Sequence, residues 1–408
     1  MIVLSQIWRK PLVPLFLALQ IAIASAMLVN AAFQGWTNLR PLLGAEGIKG
    51  ENLVLVDQLA NFNRPWQEGE INELLADLSN LSEVKNVTAA YGLPMVTSQI
   101  FAMGLGPREG EKIQVACYLG KGLSEVLGTS LTSGRLFEAQ EYIPWGVGGG
   151  HPSVQTVLPI EITEELERRW FGAGNGVGKK LISTDGNVES DFIVVGILKH
   201  LVGNKPSVNV TDDDQTVILP YSIGATQTFS LAIDLKDKPS PLTIDQIENA
   251  VHVFLIRSGV TEDQSRVETY AERRDNVLST NRAGAWLFLS IISAVTVVLF
   301  VGILGLSRFW VSERTREIGV RRALGARRLD IFLERQMECL TICLPATIIG
   351  AALALALNAR LRAVYELPSL PVSYVLSGSL VVILMCLLGC LSASNRASKI
   401  SPLDAMRG

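Results

Sequence analysis

The sequence predicts a membrane α-helical unit of four transmembrane helices joined to an α+β domain with a mixed β-sheet, and three observations predict it. Four runs of the 408-residue chain are almost continuously apolar. The long stretch between the first and second runs has the composition of an ordinary water-soluble protein. Within that stretch, short β-rich runs alternate with amphipathic helical patterns.

A bilayer core about 30 Å thick requires roughly 20 apolar residues of helix. The runs from about Leu12 to Phe33, Ala283 to Leu306, Met337 to Leu357 and Tyr374 to Ala393 meet that length. The first follows Arg9 and Lys10 and contains Ala24, Ser25 and Ala26, as a cleaved signal peptide would. It continues through Val29, Ala31 and Phe33, whereas a signal peptide's apolar core spans only about 7 to 15 residues. An uncleaved signal-anchor is therefore expected.

Basic residues resist translocation, so their placement in short loops orients the chain. Arg308, Arg314, Arg316, Arg321, Arg322, Arg327, Arg328 and Arg335 lie between the second and third runs, Arg396, Lys399 and Arg407 after the fourth, and Arg9 and Lys10 before the first. All three regions are expected in the cytoplasm, with both termini inside. The loop with Arg360 and Arg362 is expected outside. The expected order is residues 1–33 for the N-terminus and first span, 34–282 for the external domain, 283–307 for the second span and 308–336 for a cytoplasmic elbow. Residues 337–357 form the third span, 358–373 a short outer loop, 374–393 the fourth span and 394–408 the tail.

In the external domain, strands are expected at Asn52 to Val56, Asn86 to Tyr91, Lys112 to Tyr118, Val154 to Leu158, Phe192 to Leu198, Thr216 to Leu219 and Phe229 to Leu235. Glu68 to Leu81 places Ile71, Leu74, Leu75 and Leu78 at i, i+3, i+4 and i+7, the stripe of a helix packed on a core. Glu161 to Phe171 and Thr243 to Ser258 show similar stripes.

Several chemistries are set aside. The slightly acidic balance offers no basic face for nucleic acid. Ala173 to Lys180 looks like a phosphate-binding loop but has Ala173 where the first glycine belongs and Lys180 where a hydroxyl should reach magnesium. Asp212, Asp213 and Asp214 lack the alternating ligands of a calcium loop, and His151, His200 and His252 include no pair at helical spacing. Cys339/Cys343 and Cys386/Cys390 stand one helical turn apart, and buried cysteines commonly serve as small apolar groups. Neither metal nor cofactor is expected on this chain. Trp145, Gly148 and His151 bracket or lie in a glycine-rich loop with exposed aromatic character, either a surface turn or a partner contact.

The most informative segment runs from Val311 to Arg335 and contains the candidate coupling residues Glu313, Arg314, Arg316, Glu317, Ile318, Gly319, Arg321, Arg322, Leu324 and Gly325. It spells a helix, a break at Gly319 and especially Gly325, and a second helix with Leu329, Ile331, Phe332 and Leu333. The favourable Glu317–Arg321 spacing is worth only about 0.2–0.5 kcal/mol, too little to explain so many charges. A basic loop alone could also serve topology or anionic lipid. The string Arg314 to Ala326 as a whole closely resembles the coupling segment of the FtsX-like permease family, which includes MacB-type exporters. Arg396 to Arg407 looks like that family's cytoplasmic ending, and Leu158 to Gly172, Gly176 to Lys179 and Phe192 to Leu198 are similar to its periplasmic core domain. The stretch from Trp145 to Pro152 departs from the usual acidic link.

The resemblance implies a permease subunit in the bacterial inner membrane, separate from its ATPase, with its large domain in the periplasm. It implies that two ATP-binding subunits, carrying ATP and magnesium, grip the elbow, and that a second permease copy or paralogue pairs through the first two spans. Gln20, Ala24, Leu28, Ser290 and Val297 are the candidate dimer-facing residues. Gln20 and Asn30 are also read as interhelical hydrogen-bonding groups. A periplasmic adaptor and an outer-membrane channel complete the implied exporter of a peptide, lipopeptide, antibiotic or similar molecule, driven by mechanotransmission. The family's other activity, signalling to periplasmic hydrolases, is the alternative.

Overall fold

The computed structural model describes residues 12–145, 157–183, 190–204, 214–260, 264–313, 318, 320, 323–365 and 369–399. The chain divides into two units, one of residues 1–40 with 281–408 and one of residues 41–280.

Among the described residues, the first unit is built on four long helices: α1 (Leu12–Leu43), α7 (Ser279–Glu313), α8 (Arg328–Tyr365) and α9 (Val372–Lys399). Each contains an apolar window long enough to cross a membrane. All four extend beyond the apolar runs, so Arg335, Arg360 and Arg362, placed in loops by composition, are helical. Hydropathy marks where lipid contact ends, whereas the i to i−4 ladder continues as long as charged side chains can reach water.

α1 is the hub of this unit. Its Leu17, Ile21, Ala24 and Leu28 are buried together with Leu299 and Ile303 of α7, Cys339, Ile342 and Cys343 of α8, and Val382 and Cys386 of α9. Close approach depends on glycines in the partner helices. A Cβ at Gly350 of α8 would stand 2.7 Å from both the Ala22 carbonyl oxygen and Ser25 Cβ, and one at Gly378 of α9 would stand 2.7 Å from Val29 Cγ2.

Among the described residues, the second unit carries thirteen strands: β1 (Leu53–Ala60), β2 (Val84–Tyr91), β3 (Ala102–Gly106), β4 (Ile113–Gly120), β5 (Leu131–Gly134), β6 (Ile143–Trp145), β7 (Leu158–Thr163), β8 (Lys180–Ser183), β9 (Ser190–Leu198), β10 (Thr216–Leu219), β11 (Tyr221–Ile223), β12 (Thr228–Leu235) and β13 (Arg266–Thr269). Six of them close into a ring, β4–β10–β7–β9–β8–β3 and back to β4. The end of β4 also pairs with β2, which opens an antiparallel sheet of order β2–β12–β1–β13. β7–β9 and β4–β10 are parallel while their neighbours are antiparallel, so the sheet is mixed.

Helices α2 (Glu68–Ser79) and α5 (Pro241–Arg257) bury Ile71, Leu74 and Leu78, and Ile247, Val251, Phe254 and Leu255. Trp66 fixes that side of the core: its ring stacks 5.0 Å from Phe254 and its Nε1 donates to the Leu59 carbonyl at 3.1 Å. Three short helices complete the unit: α3 (Leu123–Val126), α4 (Glu164–Phe171) and α6 (Tyr270–Val277).

Two local expectations are adjusted. Of the strand expected from Val154 to Leu158, residues 154–156 lie outside the described residues, Val157 is not in a strand and Leu158 is the first residue of β7. The helix expected from Glu161 begins at Glu164, because Leu158, Ile160 and Ile162 alternate into the core and hold residues 158–163 in β7.

Candidate functional site

Between α7 and α8 the chain turns back on itself. Ile318 is buried against Ile331 of α8, with Ala326 packed beside them. The break falls at Gly325, whose φ of +103° is a conformation that side-chain-bearing residues avoid. Asp330 then caps α8, its Oδ2 accepting the Arg327 N–H at 3.1 Å. This clasp leaves Val320, Leu324, Leu329 and Leu333 exposed, Leu324 at 83%. The elbow thus offers an apolar surface as well as charge. Glu313 ends α7; Arg314, Arg316, Glu317, Gly319, Arg321 and Arg322 lie outside the described residues.

The candidate dimer-facing residues separate into two groups. Ala24 and Leu28 are buried inside the chain's own bundle, which corrects their assignment to a dimer face. Gln20 is engaged within the chain, its Nε2 donating to the Val298 carbonyl at 3.0 Å. Ser290 and Val297 are exposed on α7, the hydroxyl of Ser290 donating to its own helix at Trp286. Asn30 bridges α1 and α8, donating to the Ala26 and Ala354 carbonyls at 3.0 and 3.1 Å.

Trp145 is also corrected. It is buried at 6% exposure, edge-on to Tyr221 at 5.2 Å and to Phe101 at 5.4 Å, because β6 pairs with β11 and carries the indole into the core. Gly148 and His151 lie outside the described residues. The loop resembling a phosphate site joins α4 to β8, and its Gly176 N–H is occupied by Glu167 Oε1 at 2.8 Å.

Composition did not single out one polar pair in the membrane unit. Arg335 Nη1 lies 2.7 Å from Glu338 Oε2, both buried and three residues apart in α8. The signal was present as an i,i+3 pair of opposite charges at the start of an apolar run. The four membrane cysteines converge: Cys339 Sγ is 3.6 Å from Cys343 Sγ and 3.7 Å from the Cys386 carbonyl, and Cys390 Sγ is 3.5 Å from Ser307 Oγ. Among the described residues no group of three or more His, Cys, Asp or Glu is placed to hold a metal.

Among the described residues, four helices are long and apolar enough to cross a membrane, and a large barrel-and-sheet domain falls between the first and second of them in the chain. Residues 289–402 match the family model for the FtsX-like permease C-terminal domain. Over 419 aligned residues the chain is 26% identical to the macrolide export ATP-binding/permease protein MacB of Agrobacterium fabrum, covering 98% of this chain and 59% of that protein. It is 26% identical over 276 residues to the pyoverdine export ATP-binding/permease protein PvdT of Pseudomonas putida, covering 62% and 40%. The chain thus spans less than two thirds of the length of these relatives. Among solved structures, the periplasmic region of MacB from Actinobacillus actinomycetemcomitans is similar at a TM-score of 0.37 and 16% identity, covering 57% of this chain and 94% of that one. The chain is thus similar to FtsX-like permeases over its C-terminal part and to a MacB protein over nearly its whole length.

Proposed function

We propose that the chain is the permease subunit of an ABC-type exporter, moved by ATP-binding subunits on the cytoplasmic side. The elbow carries this reading. Its basic string resembles the family's coupling segment, and the clasp of Ile318 on Ile331 leaves Val320 and Leu324 exposed, a surface suited to docking in a groove of another chain. ATP and magnesium belong to the partner, two ATP-binding subunits serve a pair of permeases, and the large domain lies in the periplasm with both termini inside. The membrane helices act as levers rather than a conduit: displacement of α1 and α7 moves the external domain, which expels a peptide, lipopeptide, antibiotic or similar molecule toward an adaptor and an outer-membrane channel. The names of the MacB and PvdT relatives, both export proteins, support that direction.

The test is transport in cells whose partner ATPase binds but cannot hydrolyse ATP. Export should cease; undiminished export would overturn the reading. Within the chain, Gly325→Pro should leave the protein inserted but uncoupled, because proline fixes φ near −65° and Gly325 stands at +103°. Glu317→Lys should act in the same direction. Normal ATPase stimulation and export in both variants would remove the elbow from the mechanism.

A further inference from the structure

The external unit is attached to the membrane helices by two segments, one following α1 and one preceding α7. α1 continues to Leu43 and leads to β1 at Leu53. On the other side β13 is followed directly by α6, and α7 starts at Ser279. β13 pairs with β1, Val54 to Asp57 against Thr269 to Arg266, so both attachments reach the sheet on adjacent strands.

α6 carries two consecutive arginines, which a helix directs about 100° apart. Arg273 turns inward: its Nη2 is 3.1 Å from Asp57 Oδ2 of β1 and 2.7 Å from Glu268 Oε1 of β13. Asp57 is 1% exposed and also accepts from Gln58 N–H at 2.7 Å, Ser230 Oγ at 3.2 Å and the Ser98 hydroxyl. Arg274 turns to the other attachment, pairing with Glu46 and reaching the Leu42 carbonyl in the last turn of α1 at 3.4 Å. Tyr270, on the same helix, lies so close over Gly50 that a Cβ there would stand 2.3 Å from its ring.

A partly exposed ion pair adds little stability by itself. Its position gives it another consequence. Each attachment is continuous with one membrane helix, and the β1–β13 ladder ties the two at the sheet, farther along the chain from those helices. Arg274 and Glu46 join them at the edge of the domain, and Arg273 fixes the joining helix to the sheet.

We propose that α6 is a transmission clamp: the Arg274–Glu46 pair makes the two attachments move as one, so that displacement of either membrane helix is delivered to β1 and β13 together. Arg273 and Arg274 are positioning residues. The inference rests on the permease reading and names the device that reading requires.

The experiment uses the full chain with its cognate ATPase in nanodiscs, comparing wild type, Glu46→Gln, Arg274→Gln and the exchange Glu46→Arg/Arg274→Glu. Hydrogen exchange at β1 and β13 is measured with and without ATP and vanadate, alongside ATP hydrolysis. Each single variant should reduce the ATP-dependent change in protection about fivefold or more while hydrolysis stays within about twofold, and the exchange should restore the change. Single variants that respond like wild type, or an exchange no better than the singles, would overturn the clamp. A wild type with no ATP response would instead overturn the permease reading. The clamp would then be judged without nucleotide: protection at residues 42–50 lowered in both singles and restored by the exchange supports it, and unchanged protection overturns it.

Discussion

The two units differ in how their polar side chains find partners. In the membrane unit the half-buried Gln20 and the buried Asn30 reach a carbonyl oxygen of a neighbouring helix, at Val298 and Ala354, while a buried charge pair, Arg335 with Glu338, stays within α8. In the external unit full charges are buried, as in Asp57 with Arg273 and Glu268. The difference follows from what each backbone leaves free. A helix carbonyl already in its ladder keeps a second lone pair and can accept an amide from next door at small cost. A charge in lipid has few such partners, whereas in the sheet domain several strands and helices converge on one site and supply them together.

That contrast predicts unequal losses. Arg273→Met leaves the buried Asp57 carboxylate without its counter-charge, and should cost about 3–5 kcal/mol. Thermal unfolding of the detergent-solubilised chain, followed by the fluorescence of Trp66 and Trp145, both buried in the external unit, measures it. A loss below about 1 kcal/mol would mean that the buried charges are not the fixed feature of that unit.

Glu161 gives the contrast a pH dependence. Its side chain is fully buried on β7, Oε2 accepting from the Ser124 hydroxyl and Oε1 without a hydrogen-bond partner. Desolvation pushes its pKa from 4.5 up to about 7, with Glu125 adding to the rise while Ser124, the Phe137 backbone and Arg135 oppose it. The folded state therefore holds the proton more tightly than the unfolded state. The stability is fully present below about pH 4.5 and is lost as pH rises through 7, by about 3 kcal/mol in all. Glu161→Gln should flatten this part of the unfolding profile between pH 5 and 8 relative to wild type. An unchanged slope would assign the pH dependence elsewhere.

Asn30→Leu tests the membrane side and should cost less, about 0.6–2 kcal/mol, since its carbonyl acceptors keep their own helical partners. A loss as large as that of Arg273→Met would erase the distinction between the units.

These features were unequally legible in the sequence. The membrane helices were plain because about twenty apolar residues in a row match the thickness of a bilayer core, a length that helices of a water-soluble core seldom sustain. The elbow was plain as a string, and its glycine break is where the φ of Gly325 places it. The closure of six strands was not legible, because β8 and β10 are four residues each and the parallel β4–β10 pair that closes the ring joins segments a hundred residues apart. Nor was the clamp: Arg273 and Arg274 look like any solvated pair until the fold brings Asp57 and Glu46 to them. Trp145 misled for a related reason, since a glycine-rich flank says nothing of where a neighbouring indole is carried.

The smallest expected effect concerns α1 and α7, which have similar lengths and unlike surroundings. The most apolar window of α1 is 56% buried within the chain and that of α7 only 11%. A helix that packs so little of itself internally leaves its surface to lipid or to another chain, and Ser290 and Val297 lie on that surface. Ser290→Phe should therefore change the unfolding of the single chain by less than about 0.5 kcal/mol. In a bilayer, if a second permease seats on α7, the same bulk should weaken association by about 1 kcal/mol, roughly fivefold, as measured by single-molecule photobleaching in vesicles. Weakened association with intact folding would assign α7 to the second copy. Unchanged association would leave that face to lipid and move the search for the dimer contact to the exposed side of α1, where Leu19, Ile23 and Met27 also point away from the bundle.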